Sequence, residues 1–238
     1  MVGNTYKPER TGERTPAGTV PIEKHKGRPL SKRPRTLLKQ LSSLTFCEKP
    51  GDTLFLSLEH FHGDRTPGLI LGALMVDWAF ELLGIDSDPK AVVESRHFLP
   101  DAVQILTPCT LGNGRLVALD WNKMALSLFD RRRLAGYRVW LDLKKTRAIA
   151  SIYAWQMNLP LPPRVFTDDI ISDLLMAGRA VLSSRAIPVT RPFIPPRPGA
   201  MTVCPKCGEA YPASHGDHCR ACRGESYYEL CAVSPGSA

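Results

Sequence analysis

Four cysteines near the C-terminus carry the clearest chemistry in this 238-residue chain. Cys204-Pro-Lys-Cys207-Gly and Cys219-Arg-Ala-Cys222 form two CxxC pairs with eleven residues between them. A CxxC loop directs two thiolates at one point, and two such loops complete a tetrahedral S4 site suited to zinc. Four thiolates leave no open coordination position, so the site implied is structural and not catalytic. Gly208 follows the second cysteine, where the backbone must turn to aim its amides at sulfur. His215 and His218 lie in the intervening loop and could replace one thiolate, and a redox CxxC pair is the other chemistry open to this motif. The chain has seven cysteines, and Cys47, Cys109 and Cys231 are the remaining three. The opening residues are polar and show no apolar run of the signal-peptide kind, so metal binding is expected over a disulfide framework.

A second group of reactive residues stands earlier, in Phe61-His62-Gly63-Asp64-Arg65-Thr66-Pro67-Gly68. It lies on a Gly-containing bend just before Pro67–Leu83, a nearly all-apolar helical segment. Here the chain resembles the FmdE family, named for the E component of formylmethanofuran dehydrogenase. That family shows F-H-G-H-x-C-P-G, then E-x-x-x-C-x-x-D-A-x-Q, then G-C-T-x-G-x-G-x-L. The second element appears as Glu94-Ser-Arg-His-Phe98-Leu-Pro-Asp101-Ala102-Val-Gln104, and the third as Pro108-Cys109-Thr110-Leu-Gly112-Asn-Gly114-Arg-Leu116. Asp120-Trp-Asn-Lys123 resembles the D-Y-G-K stretch that follows them, and many members carry a C-terminal CxxC module.

The departures from that pattern decide the chemistry. His62 keeps the first histidine, but Asp64 holds the second histidine position, Thr66 the cysteine position of the same run, and Phe98 the later cysteine position. Phenylalanine binds no metal, and threonine is a poor ligand for a soft one. One reading is a core site that has lost its metal, with the fold surviving as a structural or accessory subunit. The other is a rebuilt site in which His62 and Asp64, with Cys109, His60 or His97, hold a second metal such as zinc, iron or manganese. Asp101 and Gln104 could orient a ligand of such a site from behind, or Asp101 could simply favour a helix N-terminus. Asp77 and Glu81, spaced i,i+4, read as interface-lining residues or as a carboxylate pair. Trp78, Phe80 and Trp140 read as core or dimer-interface aromatics.

The elements that must position these residues form an α+β order. Pro67–Leu83 has Pro67 suited to its first turn and Gly84 to its end. Pro100–Leu106 starts a second helix. Strands are expected from Arg115, over Lys123–Asp130 and over Gly136–Leu143, where Val139, Leu141 and Leu143 alternate with polar or aromatic residues. Helices follow at Thr146–Asn158 and Asp168–Ser184, with Thr167 as cap. Helices, then antiparallel strands, then helices give an α+β, FmdE-like core with packed helices. Ile187–Gly199 holds five prolines and reads as a stiff linker. The expected organisation is a basic extension over 1–45, a core over 46–186, a linker over 187–200 and a zinc ribbon over 201–231.

Charge is uneven. Residues 1–50 hold eleven Lys or Arg against four Glu, most of the net +8 of the chain. Such an arm could bind nucleic acid, stay solvated or order as a strap against a partner. No apolar run of about 18 residues could cross a membrane, and a cytoplasmic location is expected. The resemblance implies a homodimer whose zinc modules could exchange between protomers. It also implies association with the subunits of molybdenum- or tungsten-dependent formylmethanofuran or formate dehydrogenase-type systems. The expected protein is thus a zinc-binding accessory or scaffold subunit. A metal-dependent enzyme or metal-transfer protein is the first alternative, and a nucleic-acid-binding regulator the second.

Overall fold

The computed structural model describes residues 34–84, 86–190 and 199–228. Helix α3 (Pro67–Leu83) organises the core, and its sequence explains why. Thr66 caps it through a side-chain bond from the Gly68 amide at 3.1 Å, and Pro67 occupies the first turn, where its missing N–H costs nothing. From Pro67 to Val76 every residue is buried, so this helix must be surrounded. One side meets strands β5 (Ala125–Asp130) and β6 (Ala135–Leu141), and other flanks meet α2 (Gly51–His62), α4 (Leu99–Leu106) and α7 (Thr167–Ala177).

The five-stranded sheet has the order β4-β3-β5-β6-β7, with β3 at Pro89–Val93, β4 at Leu116–Ala118 and β7 at Leu182–Pro188. All neighbours pair antiparallel except β3 with β4, which run parallel. The expected antiparallel sheet therefore gains one parallel edge. Along β6, Val139 and Leu141 enter the core while Arg138 and Trp140 take the opposite face, as alternation requires. Leu143 does not extend this strand. It opens the short helix α5 (Leu143–Thr146), because Asp142 accepts the Lys144 amide and turns the chain.

The expected helix over Thr146–Asn158 is broken at residues 147–149 and forms as α6 (Ala150–Gln156). The helix expected over Asp168–Ser184 stops at Ala177. Gly178, at φ +51°, ends it, a single 3-10 turn follows, and Leu182–Pro188 becomes β7. The linker thus begins in a strand. Pro188 is tolerated there because β7 is the edge of the sheet. Residues 191–198 of the linker lie outside the described residues.

At the other end, α1 (Pro34–Ser42) contributes Leu37 and Leu41 to the core, so the last part of the basic extension belongs to the folded body. A tight hairpin of β1 (Thr45–Phe46) and β2 (Lys49–Pro50) leads into α2. The zinc module is a small unit of β8 (Met201–Val203), β9 (Ala210–Pro212) and two 3-10 turns, with its own cluster of Cys204, Tyr211 and Cys219. Cys231 and residues 1–33 lie outside the described residues. Among the described residues no helix is long and apolar enough to cross a membrane.

Candidate metal centre

Cys204 and Cys207 sit on the turn that joins β8 to β9, and Cys219 and Cys222 flank and enter the last 3-10 turn (Ala221–Arg223). Gly208 lies at φ +75°, the left-handed conformation its place in the sequence implied, and its amide bonds the Cys204 carbonyl at 2.9 Å. The four sulfurs lie within 4.8 Å of one another, and Cys207 Sγ stands 3.7 Å from Cys219 Sγ. A tetrahedron with zinc–sulfur bonds of about 2.3 Å has edges of about 3.8 Å, so the set fits zinc without rearrangement.

The electrostatics of the quartet call for a cation. Burial opposes a charge on Cys204, but the amides of Cys219, Cys207 and Lys206 outweigh it and lower this thiol to about 6. Burial and the three neighbouring thiols push Cys222 up to about 12. Four thiolates cannot gather here without a dication, which supplies the missing charge and staples the two loops. His215 and His218 are not part of the cluster.

The core motif is arranged differently. His62 is the last residue of α2, which ends because Gly63 turns left-handed at φ +91° and bonds back to the Glu59 carbonyl. This places the imidazole beside the first turn of α4, where His62 Nδ1 meets Asp101 Oδ2 at 2.6 Å. Of Asp101 and Gln104, only Asp101 reaches the histidine. Gln104 instead accepts the Leu111 amide at 3.2 Å. Asp64 is exposed and accepts its neighbour's amide, Arg65 N, at 2.7 Å. Cys109 is fully buried, with Sγ on the Pro89 carbonyl at 3.3 Å and a thiol raised by burial. His62, Asp64 and Cys109 are therefore not gathered. Among the described residues, the one cluster of three or more His, Cys, Asp or Glu side chains fit to hold a metal is the cysteine quartet.

Phe98 occupies the middle of the core motif. Its ring lies 5.5 Å from the His62 ring and 6.0 Å from that of His97. It also covers Gly68 so closely that a Cβ there would fall 2.3 Å from the ring. Phe98 holds a φ of +59°, a conformation that costs an aromatic residue about 1–3 kcal/mol. Gly68→Leu is expected to lose about 2 kcal/mol through overpacking against this ring. The denaturant midpoint measures it, and a midpoint at the wild-type value would show that Phe98 swings away freely.

Several contacts were not evident from spacing. Arg65 bridges Glu59 (3.1 Å) and Asp168 (3.7 Å) and lies over Phe55. Asp77 and Glu81 share Arg179, at 2.9 and 2.6 Å, and Asp77 also accepts the Cys47 amide. Both carboxylates thus meet a partner within the chain and do not form an acid/base pair. Trp78 and Phe80 pack against the core, with Arg179 over Trp78. Burial, then Asp77, push the Cys47 thiol up to about 12, which keeps it protonated and unreactive. Glu94 and Arg138 form a bidentate pair at 2.6 and 2.8 Å, with Glu94 almost wholly buried and Arg138 over Trp140.

Comparison with known proteins bears on both centres. Residues 61–187 match the family model described as FmdE, molybdenum formylmethanofuran dehydrogenase operon. Residues 196–229 match the one described as the FmdE treble clef zinc finger, which refines the ribbon to a more specific kind of module. A crystal structure of an FmdE-like protein of tungsten formylmethanofuran dehydrogenase from Syntrophus aciditrophicus is similar over 75% of this chain and 94% of its own, at 35% identity and a TM-score of 0.69. A probable S-adenosyl-L-methionine-binding protein of Archaeoglobus fulgidus is 36% identical over 112 residues, 44% of this chain. The match spans 31% of that protein's length.

Proposed function

The chain belongs to the FmdE family, and on that premise we propose that it is a zinc-stapled accessory or scaffold subunit whose core site no longer holds a metal. Its partners on this reading are the subunits of a molybdenum- or tungsten-dependent formylmethanofuran or formate dehydrogenase-type system, and it works as a cytoplasmic homodimer. The observation that carries the proposal is the contrast between the two centres. The cysteine quartet converges at tetrahedral spacing, whereas Asp64 and Cys109 are engaged elsewhere and Phe98 stands beside His62. A residue that ligates nothing has displaced the softest ligand position of the pattern.

One observation favours a second reading. A carboxylate on one ring nitrogen of a histidine is the arrangement that prepares the other nitrogen for a metal, and His62 has it in Asp101. An enzyme or metal-transfer protein would then bind a second ion at His62. Metal content per chain separates the two, measured on protein purified without added metal. One zinc in the wild type and one in His62→Ala is the expected result. Two metals in the wild type falling to one in the variant would sink the accessory reading and establish the core site. Copurification of dehydrogenase subunits with the tagged chain tests the partner.

A further inference from the structure

The most uneven charge in the chain lies just before α1, and the fold indicates where it meets the body. Residues 24–33, Lys-His-Lys-Gly-Arg-Pro-Leu-Ser-Lys-Arg, hold five Lys or Arg and no acid. Helix α1 runs alongside α7 in the same direction. Gln40 accepts the Ser172 hydroxyl at 3.1 Å, an offset of 132 residues, and Ser43 and Leu44 share a groove with Leu175 and Met176 further along. Two helices with equal rise keep that offset, so Pro34 stands level with Phe166, at the start of α7. The chain before Pro34 therefore leaves the body beside the first turn of α7 and the loop that leads into it.

That surface has a charge opposite to the segment and an apolar strip beside it. Asp168 and Asp169 lie in the first turn of α7, Asp173 lies one turn on, and Glu59 of α2 joins them through Arg65. Asp169 caps its own helix by accepting the Phe166 amide, and Asp173 accepts the Ser151 hydroxyl. A carboxylate accepts several donors at once, so these neutral donors leave the negative charge of the patch in place. The preceding loop, Asn158-Leu-Pro-Leu-Pro-Pro-Arg-Val-Phe166, has three prolines that limit its freedom. Leu159, Leu161 and Phe166 are 49%, 40% and 58% exposed.

We propose that residues 24–33 dock in cis on this surface, with Lys and Arg against the α7 carboxylates and Leu30 against the Leu159–Leu161–Phe166 strip. Ten residues reach at most about 33–36 Å, which spans the short helix and its loop from a start at Pro34. Docking would place the basic charge of the arm on its own body and withhold it from other polyanions. This surface lies outside both metal centres, and its occupation does not depend on the metal reading.

Trypsin cleavage after Lys24 and Lys26 tests the proposal on the full chain. Cleavage in the wild type at low salt is expected to be about fivefold slower than in Leu30→Asp or Asp168→Asn, and to rise toward the variants in about 0.5 M salt. An unchanged unfolding temperature in Leu30→Asp, which precedes α1, would separate a faster rate there from unfolding of the core. Equal rates in wild type and both variants would overturn the proposal. Protection that grows with protein concentration would overturn it in favour of a second copy, and protection seen only with added duplex DNA would do so in favour of nucleic acid.

Discussion

Cys219→Ser, purified like the wild type, is expected to carry no zinc and to lose the fold of residues 201–228, while the core unfolds at its wild-type temperature. The module cannot hold itself together without the metal. Its buried cluster contains two of the ligands, Cys204 and Cys219, and one aromatic, Tyr211. Its strands have three residues each, and the Tyr211 hydroxyl bond to the Gly216 carbonyl at 2.7 Å is its main fixed side-chain contact inside the loop. A unit of this size without a core stays unfolded unless a metal closes it. Structural zinc supplies about 10–16 kcal/mol in such modules, and three ligands with one hydroxyl give up most of that. The core has no share in the loss, because the module's contacts close on the module itself. The pairing of β8 with β9, the Tyr211 bond and the ion pair of Arg220 with Glu225 all fall within residues 201–228. Zinc content and the dispersion of amide resonances from 201–228 provide the measurement. Dispersed resonances in metal-free protein would refute the staple.

Arg138→Leu is expected to destabilise the core by about 3 kcal/mol, and Glu94→Leu combined with it to restore stability to within about 1 kcal/mol of wild type. The reason is asymmetric desolvation. Glu94 has only 7% of its side chain exposed, and Arg138 neutralises it with two bonds. The hydrogen bond to Glu94 in turn raises Arg138 above its ordinary value. Removing the arginine alone leaves a carboxylate buried without a cation, which costs far more than removing the pair. Trp140 also loses the guanidinium over its ring, a smaller effect of about 0.5–1 kcal/mol that both variants share. Denaturant unfolding of the two variants gives the comparison. A double variant as unstable as the single one would show that packing around Arg138, and not the buried charge, sets the cost.

Local chemistry makes part of this protein legible in its sequence. The cysteine quartet can be read from spacing because each CxxC loop fixes its own geometry within four residues. Helix α3 can be read to its ends, since Thr66, Pro67 and Gly84 bound it from within the same segment. The hairpin of β5 and β6 follows for a similar reason, with alternation on both sides of a charged turn. Strand β7 reads as helix, because Leu-Ser-Ser-Arg-Ala-Ile-Pro has no strong period and only its place on the sheet edge decides it. Strand β3 and helix α2 escape a reading of the sequence, the first because a strand buried on both faces shows no alternation.

The core motif divides along the same line. Its sequence determined that two soft ligand positions were gone, since Phe98 and Thr66 cannot be anything else. Only the tertiary structure decided what replaced them. His62 found Asp101 from 39 residues away, Arg138 found Glu94 from 44, and Phe98 closed over Gly68. Such pairings depend on where α2, α4 and the sheet come to rest against α3, and packing of whole elements sets that position, which no spacing along the chain records.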